Sequence, residues 1–585
     1  MSDPMAMDLA ARVDGPTMMR HMELFARHTK HAGTPGELAS LRYCEAELRS
    51  YGYATEIISH HAYISLPELG ATVRAQDWQA SAITHSFSCS APPGGLRAAL
   101  VDLGAGSEDA FAAADVASKI AVMDGIANPV LTQRACRAGA VGQIHISPHE
   151  HRHEMCISPV WGSPSDEKLA NLPTTVVTTI AHDDGAALRS RLQASPGLTA
   201  TLHAEVDTGW RPTPILIADL APDGEADAPF VFFTGHHDTW YYGVMDNGGA
   251  NATMLEVARL AARERRHWRR GLRIVIWSGH SQGRYSSSAW YADQHWEEIE
   301  RRALVHVNVD STGGMGNTLV SDTTACAELR GLAAAAIDAH SGQSFANKRM
   351  GRAGDQSFWG IGVPAMFANM SEQPKDPAET GQGMFRAGKR GGFGTGWWWH
   401  TPDDLLDKID EEILVRDTKI YMHAIWRLLT DRVLPLDYAL HGRYLLGELD
   451  SLDSALGGRF DLGVLRRRAE RLVALSERLA RAAEAPLTDG QAADLNETLR
   501  LVSRAIVPAD YTLGDRFEHD PATPQGPYPC LQPLHRFATL DEDSDDARFL
   551  ATRMARSRNR VAVALREANQ ALERGLAAVT PGDAP

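Results

Sequence analysis

The chain has 585 residues, more than one hydrophobic core usually serves, so roughly two to four domains are expected. Its formal charge of −16 at pH 7 argues against a nucleic-acid binder, which needs clustered Lys and Arg; the basic runs at 265–270 and 466–468 read as solvated helix faces. Six cysteines lie far apart, the first residues carry no basic-then-apolar leader, and no apolar run reaches the roughly 18 residues of a membrane span, so a cytoplasmic, non-membrane protein is expected.

Residues 17–53 read as two amphipathic helices parted by the turn Gly33-Thr34-Pro35-Gly36, the second with Leu38, Leu41, Cys44 and Leu48 on one face. Residues 62–204 change to short β-rich runs with Gly-rich turns, which predicts an inserted domain. From Phe230 apolar strands (230–233, 273–277, 303–309) alternate with a helix over 250–262. That pattern predicts an α/β fold with a mostly parallel sheet, covered on both faces, whose ligand sites lie at the carboxyl ends of the strands. Residues 435–585 are strongly helical, with Leu465, Leu472, Leu475 and Leu479 in register, and predict a separate helical domain after a first domain made of 1–61 and 205–434.

Residues that can carry chemistry gather just after the strands. His236 and Asp238 stand in Gly235-His236-His237-Asp238, and Asp246 follows in Met245-Asp246-Asn247-Gly248. Imidazole and carboxylate together suit a divalent metal, and the Asp238 carboxylate is placed to hold the His236 ring. Asp246 also has a plain reading as a helix N-cap. The second strand leads into His280-Ser281, the third into Asp310, and His400 follows Trp397-Trp398-Trp399. Taken singly each is more often structural. Several at the strand ends of one sheet would need as many unrelated coincidences.

These motifs resemble the zinc peptidases that include aminopeptidases, glutaminyl cyclases and glutamate carboxypeptidase II, and the resemblance covers nearly the whole chain. It implies that His236, Asp246, Asp310 and His400 are metal ligands, with Asp238 as the orienting carboxylate. The stretch 351–358 resembles the family's Ser-Asp-His-x-x-Phe segment, with Gln356 in place of the His and Asp355 as a buried hydrogen-bonding carboxylate. His31-Ala32-Gly33-Thr34 and residues 494–499 narrow the likeness to the subgroup of glutamate carboxypeptidase II and the transferrin receptor. That subgroup implies a protease-associated insert at 62–204, a helical dimerisation domain at 435–585 and a homodimer.

One departure stands out against this family. Its Glu-Glu pair, a general base followed by a zinc ligand, aligns with His280-Ser281, so a single divalent ion, zinc by the resemblance, is expected rather than two. His280 reads as a replacement base, a ligand or a spacer. Ser281 as a nucleophile served by His280 is a weak reading, because adjacent side chains rarely meet and no Gly-x-Ser-x-Gly elbow is present. Trp399 stands where glutamate carboxypeptidase II has a Tyr before the final His. Tyr241, Tyr242, Trp397 and Trp398 suggest an aromatic pocket or core packing, and Arg386 a carboxylate contact or a solvated charge. His149, His151 and His153 read as an exposed polar loop rather than a second metal site. The expected function is metal-dependent hydrolysis of an amide or related C–N bond in a small, aromatic or aminoacyl substrate. A non-catalytic dimeric scaffold and a deaminase or lyase on the same metal are the alternatives.

Overall fold

Strands with no polar face must be covered on both sides, and every residue of Phe230–His236 and Gly271–Trp277 is buried. The computed structural model describes residues 3–375 and 394–579. In it these two strands lie at the centre of a six-stranded sheet whose order is Ala54–Pro67, Val206–Leu220, Gly271–Trp277, Phe230–His236, Ala303–Asn308, Ala365–Met366. The last four are mutually parallel, and the first two are antiparallel additions at one side.

Alternate residues of the central strands enter different cores. Val231, Phe233, Ile274 and Ile276 pack beneath the helices Ala250–Arg263 and Glu411–Thr430, while Phe232, Val275 and Trp277 meet Tyr291 and Ile299 on the opposite face. Each such side chain contributes about 1.5–3 kcal/mol on burial, so the sheet is a rigid base for whatever its strand ends carry.

The strands Ala54–Pro67 and Val206–Leu220 pair without interruption from Ala54 opposite Asp219 to Pro67 opposite Val206. The main sheet therefore continues five residues past the sequence-predicted boundary at 62, and the inserted unit has its own sheet from Thr72 onward. That second sheet has eight strands, with Leu96–Asp102, Ile120–Asp124, Gly142–Ile146 and Val176–Ile180 parallel at its centre around Leu100, Val122 and Ile144.

The C-terminal region packs Tyr438–Leu456, Gly463–Glu484, Asp489–Tyr511 and Asp545–Val579 together, with Leu465, Leu472, Leu475 and Leu479 buried as their spacing predicts. Its core is continuous with the core under the main sheet. Between its helices the loop carrying Ala522 and Pro524 returns to the sheet's carboxyl edge, where the Ala522 N–H donates to the Pro159 carbonyl of the inserted unit.

Candidate metal centre

The strand ends converge as α/β topology requires. His236 is the last residue of its strand, His280 and Ser281 follow the strand ending at Trp277, and Asp310 follows the one ending at Asn308. His236 Nε2 lies 3.3 Å from Asp246 Oδ1 and 3.7 Å from Asp310 Oδ2, and His400 Nε2 lies 3.0 Å from Asp246 Oδ2. Asp246 thus sits between two imidazoles. The His280 ring stacks on His236 with centroids 3.7 Å apart, and one ligand atom each from His236, His280 and Asp310 falls within a 4.8 Å group.

Each ring is held by its far nitrogen. His236 Nδ1 meets the Asp238 main-chain carbonyl at 2.8 Å and His400 Nδ1 meets the Glu154 carbonyl at 2.6 Å. A carbonyl only accepts, so both rings carry a proton on Nδ1 and turn Nε2 to the Asp246 carboxylate. Here the role expected of Asp238 is corrected. Its carboxylate does not hold the His236 ring but accepts the His280 and Ser281 N–H groups at 3.1 and 2.8 Å, because its side chain turns toward the neighbouring strand end.

Asp246 is not a helix cap: the helix Ala250–Arg263 starts after Gly249 with no side-chain cap. Instead the Met245 and Asp246 N–H groups donate to the Asp404 carboxyl at 2.8 and 3.0 Å, and burial pushes the pKa of Asp404 up to about 7. Gly249 lets this loop pass the Thr312 carbonyl, which a Cβ would meet at 2.2 Å. The Asp246–Asn247 peptide is cis.

The arrangement fits a divalent cation. His236 Nε2 and Asp246 Oδ1 are buried with no hydrogen-bond partner, and an imidazole nitrogen faces two carboxylates at the cavity edge. Burial disfavours a charged His236, yet Asp246 and Asp310 outweigh it and raise its pKa well above the usual imidazole range. Burial likewise opposes charge on Asp246, and His236 and His400 hold its pKa well below the usual carboxylate range. Imidazoles that donate Nδ1–H to a carbonyl and present Nε2 beside carboxylates are the donor set of zinc-type sites.

The centre opens into a cavity of about 500 Å³ lined by Asp246, His280, Ser281, Asp310 and His400, with Trp240, Tyr285 and Trp399 as aromatic walls. The inserted unit supplies Met155 and Cys156, and the helical region supplies Ala522 and Pro524.

The segment 216–425, which spans every residue of the centre, matches the model described as "Peptidase family M28". The chain carries a peptidase M28 domain. The chain is 22% identical over 292 residues, 48% of its length, to "Probable glutamate carboxypeptidase LAMP1" of Arabidopsis thaliana, and spans only 42% of that relative. Among solved structures it is similar to a peptidase M28 precursor from Shewanella amazonensis (TM-score 0.58, 17% identity, 74% of this chain and 97% of that one). It is also similar to a zinc aminopeptidase from Bacillus subtilis (TM-score 0.54, 19% identity, 73% and 98%). At these identities the likeness is one of fold, and it fits the mixed α/β sheet and helical region described above.

Several expected substrate contacts are not on the cavity wall of the M28 domain. The Tyr241 hydroxyl donates to Glu154 Oε1 at 2.7 Å, Tyr242 faces outward, Trp397 stacks on His151 at 4.2 Å, and Trp398 is buried beside Met245. Arg386 lies outside the described residues. Ser281 turns its hydroxyl to the Asp238 carbonyl at 3.4 Å, away from any nucleophile pairing with His280, whose Nδ1 is engaged by Asp355 at 2.7 Å. His149 and His153 do not form an exposed loop; they are 6% and 1% exposed, their Nε2 atoms are 3.2 Å apart, and His153 Nδ1 is bound to the Trp399 carbonyl. They buttress the turn that carries His400. Sequence reading assigned no role to Glu154, Trp240, Tyr285 or Asp404, although Trp240 stands two residues after Asp238, Glu154 directly follows His153 and Asp404 lies inside His400-Thr401-Pro402-Asp403-Asp404.

Proposed function

We propose that the protein is a metal-dependent hydrolase that cleaves an amide or related C–N bond of a small substrate seated in the cavity beside His280. The observation that carries this reading is the pair of buried atoms His236 Nε2 and Asp246 Oδ1, which have no hydrogen-bond partner, with Asp310 3.7 Å from His236 and His400 3.0 Å from Asp246. His236, Asp246, Asp310 and His400 would hold the cation, zinc by kinship with the M28 domain. When bound, it supplies Lewis-acid polarisation and acidifies water.

The chain's own groups do the rest. In the family resemblance His280-Ser281 replaces the Glu-Glu pair, so His280 is the group left beside the centre to accept a proton. Trp240, Tyr285 and Trp399 suit a flat apolar portion of the substrate and keep water from the cleft. Arg284 and Arg352 edge the same cavity and tie the 520–522 loop across it through carbonyl contacts, which confines the site to small molecules.

Metal analysis of protein purified without added ions, followed by a panel of aminoacyl amides and N-acyl compounds, tests the reading. Bound or activating divalent metal with release of amine is expected. Absence of metal and of activation by any divalent ion overturns it.

A further inference from the structure

Behind His280 lies a chain of hydrogen bonds that runs from the inserted unit to the centre. Trp161 Nε1 is 2.9 Å from Ser357 Oγ, Ser357 Oγ is 2.9 Å from Ser288 Oγ, Ser288 Oγ is 2.7 Å from Asp355 Oδ1, and Asp355 Oδ2 is 2.7 Å from His280 Nδ1. Apart from the His280 ring, which is partly exposed to the cavity, every group in it is buried. The directions are set by the groups that can only donate or only accept: the Trp161 indole N–H donates to Ser357, and the ionised Asp355 carboxylate takes the Ser288 hydroxyl hydrogen and the His280 Nδ1–H. Asp355 then accepts on one oxygen and has its other oxygen for His280.

We propose that Asp355 is a positioning residue that locks His280 in the Nδ1–H tautomer, so that Nε2 is the ring's proton acceptor and faces the cavity. The inference rests on the hydrolase reading only for what that acceptor does; the tautomer itself follows from the hydrogen-bond chain. Further observations support it. Asp238 fixes the His280 backbone N–H at 3.1 Å, and His236 lies flat against the ring at 3.7 Å, so with Nδ1 anchored the ring has no freedom to flip. Tyr285 closes the other side, edge-on at 4.8 Å. Asp355 is 1% exposed and has a positive φ of 60°, uncommon for a residue with a side chain.

This assigns a purpose to a residue that the loss of the Glu-Glu pair makes necessary. A carboxylate presents equivalent oxygens and needs no tautomer control, whereas an imidazole placed there acts as an acceptor only if its other nitrogen keeps the proton. The arrangement follows the Asp–His logic of serine hydrolases, in which replacing the Asp by Asn leaves geometry intact and lowers turnover about 10⁴-fold through the wrong tautomer.

The test is Asp355→Asn in the full chain, read in two ways. With ¹⁵N-histidine labelling, and His280→Ala to assign the signal, wild type is expected to show a protonated Nδ1 and a bare Nε2 at alkaline pH, and the variant a mixed or reversed pair. With a substrate from the amide panel, kcat is expected to fall on the order of 10²–10⁴-fold while KM and metal content stay level. An unchanged ¹⁵N pattern, or turnover within about threefold of wild type, overturns the proposal, as does loss of metal in place of turnover. Should Asp355→Asn fail to fold, Ser288→Ala removes only the support of Asp355 and is expected to give a smaller tautomer shift in the same direction; no shift counts against the proposal. A wild-type protein without metal or activity would sink the hydrolase reading, yet the ¹⁵N pattern would still decide the tautomer.

Discussion

The His236 ring is aligned by a main-chain carbonyl, and this changes what Asp238 is for. If its carboxylate held the ring, removing its charge would weaken metal binding about 10–100-fold. With the Asp238 carbonyl on Nδ1 and the carboxylate on the 280–281 backbone, Asp238→Asn should leave metal affinity within about threefold of wild type while lowering turnover, because Asn keeps only one acceptor for two N–H groups. Competition with a chromophoric chelator measures the first effect and the amide assay the second; a tenfold loss of affinity would return Asp238 to its expected role. The example marks where sequence stops being informative. His236 and Asp310 were legible because each ends a strand or follows one on a sheet whose pattern is plain, whereas Asp246 and His400 were picked out by the family motifs they resemble. Which oxygen of Asp238 is used depends on a side-chain turn that no spacing encodes. The partner of His400 is likewise a carbonyl from another unit, Glu154.

Among the elements, the insert's sheet was recognisable as β-rich, but its buried histidines were not anticipated. His85 donates from Nε2 to Thr179 Oγ1 (2.7 Å) and accepts the Met155 N–H on Nδ1 (3.2 Å), so it is neutral with both nitrogens used. Burial, helped by His145, drops its pKa from 6.5 to about 3. The sign follows directly: the unfolded chain takes up a proton near pH 6.5 and the folded chain does not, so the stability His85 contributes is complete above that pH and is lost as pH falls toward 3. The slope is about 1.4 kcal/mol per pH unit for one proton. Urea midpoints measured between pH 7 and 4 should fall less steeply in His85→Gln than in wild type. Parallel curves would mean that His85 is protonated in the fold. Met155, fixed by this histidine, lines the cavity, so the same acid-sensitive contact shapes the site wall.

For the whole molecule, the decisive contact is between the helical region and the edge of the main sheet. Sequence reading divided them at residue 434, and the spacing of leucines supported that division, yet one continuous apolar core runs through both. Arg504, from the helix Asp489–Tyr511, enters the joint and donates to the carbonyls of Ile299, Glu300, Ala303 and Gly362. Burial lowers its pKa to about 9, and these carbonyls, with the nearby Glu300 and Glu497, hold its charge there. Gly362, with φ of +89°, permits the approach, since a Cβ would stand 2.6 Å from Arg504 Cα. Arg504→Met keeps the apolar stem and removes every donor, leaving buried carbonyls whose desolvation costs about 1–3 kcal/mol each. The expected result is a destabilisation of about 3 kcal/mol or more, with the helical region melting ahead of the sheet as a separate calorimetric transition where wild type shows the two together. Because the loop with Ala522 and Pro524 closes the cavity from that region, the variant should also lose substrate binding at temperatures between the two transitions. A single transition at the wild-type midpoint would show that the shared apolar core alone joins the two parts.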